Sequence, residues 1–184
     1  MSRMTETLRV APAASAHSAV AVGPATRAFL AVAALGAGLL HAALAPSAPP
    51  ALLAAFLVLA LAELVWAAAT LAKDRPPAFR LVPALALLPV GMWAALAVVG
   101  ATASGGTVLA LPFVPMGAAS LLDVAVAATA AVVIRRGRPN PDQSSFFRFF
   151  AGLVLSACVV SAVTIPALTL TDAGVAAVTV HHHH

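Results

Sequence analysis

The sequence predicts an all-α integral membrane bundle of five transmembrane helices, with the amino terminus inside and the carboxyl terminus outside. Three observations predict it. Of the 184 residues, 62% are hydrophobic and 9% charged, and the mean hydropathy is +1.02; a soluble domain carries about 25% charged residues. Five apolar runs come close to the roughly 20 residues that a helix needs to cross the hydrocarbon, at 28–46, 51–72, 81–102, 117–134 and 149–170. All ten Lys and Arg residues then fall on one side of that path, which the positive-inside rule makes cytoplasmic.

Each segment has its own justification. Residues 1–26, rich in Ala, Ser and Thr, read as a disordered cytoplasmic tail. The first span is expected to be retained rather than cleaved, because a 27-residue lead is long for a signal n-region. Proline clusters mark boundaries: Pro46, Pro49 and Pro50; Pro76 and Pro77; Pro112 and Pro115; Pro139 and Pro141. A proline inside a helix removes a backbone hydrogen bond, so such clusters favour connections. The basic anchors are Arg3, Arg9 and Arg27, then Lys73, Arg75 and Arg80, then Arg135, Arg136, Arg138 and Arg148. Residues 27–170 form the transmembrane domain, and 171–184 an extracytoplasmic tail ending in histidines. The bacterial inner membrane is the expected location and the lipid bilayer the expected environment, with membrane-protein partners or a homo-oligomer. The basic residues occur in twos and threes between apolar runs, so nucleic acid is not an expected partner.

Spans one and two form a hairpin ending in KDR, and spans three and four another ending in RRGR. Each second helix holds one acid, Glu63 or Asp123, ten residues from Lys73 and twelve from Arg135. At 1.5 Å per residue these lie about 15 and 18 Å deep, near mid-bilayer. A duplicated hairpin is one explanation; the positive-inside rule alone produces similar basic ends. His41, Trp93 and Cys158 fall in the same layer, about 15–21 Å from the inner face.

A carboxylate at that depth costs about 2.5–3.5 kcal/mol on insertion scales, so it is expected to face the bundle interior. Glu63 and Asp123 read either as packing glue, hydrogen-bonded to neighbouring helices, or as a proton or cation site. His41 shares its face with Ala34, Ala37, Gly38 and Ala45, which lets another helix come close. Cys158 is expected as a small core residue; with Ser161 and Thr164 it makes a polar stripe. Trp66 and Trp93 are expected as packing residues. The terminal His181, His182, His183 and His184 read as a purification tag or as a metal-capturing tail, since imidazole suits Zn, Cu and Ni.

The stretches HAALAP, ELVWA, GAASLLDVAVAA and TIPALTLTDAG, spread over about residues 28–174, resemble a family of small multi-spanning membrane proteins of high-GC bacteria. The shared pattern is a histidine closing the first span, an acid in a GLADLL-like fourth span and a TTPALA-like final span. The resemblance implies a multi-spanning helical fold and brings no activity with it. This sequence departs from the pattern in its first outer loop, where SAPPALL stands in place of a second histidine, so a two-histidine outer site is not expected.

No phosphate-cradling glycine loop, HExxH, CxxC or nucleophile elbow occurs, so a non-enzymatic protein is expected. The leading functional reading is transition-metal binding or handling, with copper or zinc captured by the His181–His184 tail at the extracytoplasmic face. An inner site would be made of His41, Asp123 and Met116. The alternative is an accessory subunit of a larger membrane complex. The third is a small transporter that uses Glu63 and Asp123 as proton or cation carriers.

Overall fold

A computed structural model of the chain describes residues 22–73, 76–102, 112–136 and 146–181. Six α-helices follow one another: α1 (Pro24–Leu44), α2 (Pro50–Ala72), α3 (Val82–Thr102), α4 (Phe113–Arg136), α5 (Phe146–Thr169) and α6 (Asp172–His181). No strand occurs among the described residues. Helices α1 (with the 3-10 turn Ala45–Ser47 that continues it), α2, α4 and α5 are long and apolar enough to cross a membrane, and α3 holds a shorter apolar stretch, Val82–Val98.

The helices begin where their prolines fit. Pro24 and Pro50 occupy first-turn positions of α1 and α2, where the missing N–H would have had no partner. Pro115 sits in the first turn of α4, so that helix begins at Phe113, before residue 117. The turn between α5 and α6 is built by Thr171. Its hydroxyl donates to Leu168 O (2.7 Å) and accepts from Gly174 N (3.1 Å), which caps α6. Asp172 in the first turn of α6 favours the positive end of that helix. Part of the expected carboxyl-terminal tail is therefore helical, and α6 packs back onto α1 and the 3-10 turn.

Helix α1 is the centre of the bundle. It is 67% buried over its apolar window, against 17–33% for α2, α4 and α5, which pack around it; α3 packs chiefly on α4. In lipid the apolar side chains gain little by leaving one hydrocarbon surface for another, so close packing decides which face turns inward. Helix α1 carries small residues all round: Ala28, Ala31, Ala33, Ala34, Gly36, Ala37 and Gly38 are all buried. At Gly38 an added Cβ would meet Leu64 Cγ at 3.1 Å and Ala60 O at 3.2 Å, which measures how closely α2 approaches. The two expected hairpins exist as packed pairs, α1 with α2 and α3 with α4, but α1 is enclosed and α3 is not.

One end of the bundle is tied by polar contacts. Arg27 donates to Lys73 O (3.3 Å), and its guanidinium lies 5.2 Å from the Phe149 ring centre. The start of α1, the end of α2 and the start of α5 are thereby joined. Trp66 Nε1 donates to Pro77 O (3.0 Å) and so anchors the connection between α2 and α3, a role beyond the packing expected of it. Within that connection Ala78 has a φ of 51°, a left-handed conformation that costs an L-residue about 1–2 kcal/mol.

Helices α1 and α5 touch backbone to side chain at Gly152. A Cβ placed there would lie 2.8 Å from both Cα and Cβ of Ala25, closer than atoms of a helix backbone can yield. Gly152→Ala is expected to destabilise the bundle by about 1–3 kcal/mol, the usual cost of overpacking. Gly91→Ala and Gly117→Ala, which meet nothing within 4 Å, are expected to be neutral or slightly stabilising. Unfolding of the detergent-solubilised protein followed by circular dichroism measures the difference. Equal midpoints for all three variants would contradict this packing.

Candidate metal centre

Three of the four elements around the middle of the bundle each present one polar side chain to the same point. His41 lies in the last turn of α1, and Ala45 N closes that turn on His41 O. Glu63 follows Ala60 and precedes Ala67 and Thr70 on the buried face of α2, at helical spacings of three and four. Asp123 stands in the inner stripe of α4 with Ala119, Leu122, Val126 and Ala127.

The imidazole is held on both faces of its function. His41 Nδ1 is 2.9 Å from Glu63 Oε2, a hydrogen bond that fixes the ring plane. Phe56 lies nearly parallel to the ring (centroids 6.0 Å apart, 15° between planes) and packs with Leu44, Ala45 and Met116. On the far edge, His41 Nε2 is 3.9 Å from Asp123 Oδ2. That gap is too long for a hydrogen bond. Asp123 Oδ2 is buried and has no hydrogen-bond partner among the described residues. One donor atom from each of the three residues lies within 4.8 Å of the others. His41 and Asp123 are buried, at 2% and 3% exposed, while the Glu63 side chain is 13% exposed.

An imidazole whose Nδ1 is held by a carboxylate presents Nε2 as a free ligand, an arrangement used at zinc sites. Zinc bonds of about 2.0–2.2 Å to nitrogen and oxygen at a tetrahedral angle require an N···O distance of about 3.4 Å. The 3.9 Å gap therefore closes on an ion with a shift of roughly half an ångström. A divalent cation bound there would take both carboxyls in their ionised form and the imidazole neutral at Nε2, since ligands must shed their protons to bind. The negative end of α1 at His41 adds to the attraction.

The residues expected from the sequence are distributed unevenly. His41, Glu63 and Asp123 come together. Met116 is buried in the neighbouring apolar cluster with Leu44, Ala45 and Phe56. Trp93 packs edge-on against Phe113. His181 closes α6, and His182, His183 and His184 lie outside the described residues. Cys158 corrects the expectation of a core residue: it is exposed on the bundle surface. The buried positions of α5 are Ser156, Val160, Thr164 and Ala167, spaced by three and four, and Cys158 and Ser161 fall off that stripe.

Beside this cluster, a cleft of about 270 Å³ separates α2 from α3, with Glu63 and Asp123 in its lining. The class this defines is an all-helical membrane bundle with a buried His–Glu–Asp cluster. No protein family, curated protein or solved structure matches the chain.

Proposed function

We propose that this chain is a non-enzymatic transition-metal-binding membrane protein that holds a divalent cation of the zinc type between His41 Nε2 and Asp123, with Glu63 orienting the imidazole. The observation that carries this reading is the buried, unpartnered Asp123 Oδ2 facing Nε2 of an oriented imidazole. Burying a polar atom without a partner is costly, and a bound ion removes that cost. The donors are nitrogen and oxygen, which suits zinc; copper(I) selects sulfur, and the Met116 thioether belongs to the apolar cluster beside the site.

In the arrangement proposed, α3 also spans the bilayer, giving five crossings, with the Arg- and Lys-bearing ends in the cytoplasm of a bacterial inner membrane. His41, in the last turn of α1, then lies toward the extracytoplasmic face. Helix α6 packs on the same end of α1, and in this reading the terminal histidines deliver an ion to the inner site. His41 Nε2 and Asp123 leave further coordination positions open to water or an incoming ligand, whereas a locked structural zinc has four protein ligands.

Elemental analysis of protein lacking residues 181–184, extracted without an added tag, tests this. About one zinc per chain is expected, lost in His41→Ala and in Asp123→Ala. Glu63→Gln, which weakens the hold on the ring, is expected to lower affinity about 10–100-fold. Absence of metal, or metal content indifferent to His41→Ala, would end this reading.

A further inference from the structure

We propose that the cleft between α2 and α3 is a binding site for a small lipophilic ammonium ion that enters from the bilayer and sets its charged head on Asp123 and Glu63. Glu63 and Asp123 line the cleft, and His41 does not. Its floor is Ala34, Asp123 and Val126, and its walls are apolar side chains of α2 and α3. Leu85 and Leu88 in its lining are 56% and 61% exposed, and in the five-crossing arrangement proposed above they face lipid. A volume of about 270 Å³ holds roughly ten non-hydrogen atoms, by proportion to a cavity of about 150 Å³ that holds benzene.

Chemistry selects the head group. Among the described residues, the two acids are the only ionisable ones in the lining. An anion would meet two carboxyls and is rejected. A purely apolar ligand would leave the buried Asp123 Oδ2 unpartnered. An ammonium group satisfies that oxygen by a charge-assisted hydrogen bond. Trp66, also in the lining, adds an aromatic surface that attracts cations. The site shares Asp123 with the zinc centre and does not depend on it, so the two cations compete.

The test uses the full chain in zwitterionic lipid nanodiscs, with Trp93→Phe leaving Trp66 as the only fluorescent tryptophan. The probe is 4-phenylbutylamine, and the neutral control is 4-phenylbutanol. Saturable quenching is expected for the amine, with the alcohol at least about tenfold weaker, the measure of one charge-assisted contact. Asp123→Asn should lose the amine; His41→Gln should keep it while losing zinc. Ala86→Phe fills the cleft and should lose the amine while keeping zinc. Equal binding of amine and alcohol overturns the proposal, as does amine binding unaltered by Ala86→Phe. Should Ala86→Phe fail to retain its helicity, the amine-to-alcohol ratio on the unsubstituted cleft decides alone. Zinc without amine binding rejects only the cleft, and amine without zinc binding rejects only the metal centre.

Discussion

Phe56→Ala is expected to destabilise the bundle by about 3–5 kcal/mol, the cost of truncating a fully buried phenylalanine. Its side chain is 0% exposed and packs among Leu44, Ala45 and Met116. The helices around it are held by packing rather than by expulsion of water, so a void there is not compensated by burial elsewhere. The same substitution has a functional consequence. Phe56 lies against the imidazole of His41, and without it the ring is fixed by the Glu63 hydrogen bond alone. Zinc affinity should therefore fall together with stability. Phe147→Ala, removing a ring that is 75% exposed, is the control and should change neither. Thermal unfolding in detergent, with zinc affinity from competition against a chelating dye, measures both. A Phe56→Ala protein as stable as the Phe147→Ala control would mean that the α1–α2 interface is not packed as described.

Much of this bundle is legible in the sequence because lipid imposes simple length and charge rules. Runs of apolar residues and prolines place α1, α2, α4 and α5 within a few residues of their observed limits. Depth counting from Lys73 and Arg135 puts Glu63 and Asp123 in one layer, and they do share one cluster. Depth says nothing of rotation about each helix axis, and rotation decides which side chains meet. The bond from His41 to Glu63 is therefore not legible in the sequence, which groups Met116, not Glu63, with His41 and Asp123. In a soluble protein an apolar stripe would reveal rotation; here lipid and neighbouring helices are equally apolar. Cys158 illustrates the cost, since its small size is compatible with either face. The signal that remains is small-residue content, which marks α1 as the enclosed helix. A Thr-Asp beginning at Thr171 was likewise a readable helix start for α6.

His41→Ala is expected to destabilise the bundle by about 3–5 kcal/mol, because it breaks the His41–Glu63 pair and leaves a carboxyl in the bundle without its partner. Glu63 loses its 2.9 Å hydrogen bond, and Asp123 loses the imidazole that faces its buried oxygen at 3.9 Å. Replacing all three at once, His41→Leu with Glu63→Leu and Asp123→Leu, should behave oppositely. Exchanging a complete buried polar cluster for apolar side chains is often neutral, or stabilising by about 1–4 kcal/mol. The triple variant should thus be at least as stable as the parent while binding no zinc. That pairing separates a functional cluster from packing glue. A cluster that serves only to hold helices together must be worth more than leucines in its place, so a triple variant as unstable as His41→Ala would identify it as glue. Unfolding of the single, double and triple variants in metal-free detergent gives the coupling energies directly. Added zinc should then raise the midpoint of the parent alone, as a ligand that binds the folded state must. A stable triple variant that zinc leaves unchanged, beside a parent that zinc stabilises, would mean that this chain keeps three polar side chains for the cation rather than for its fold.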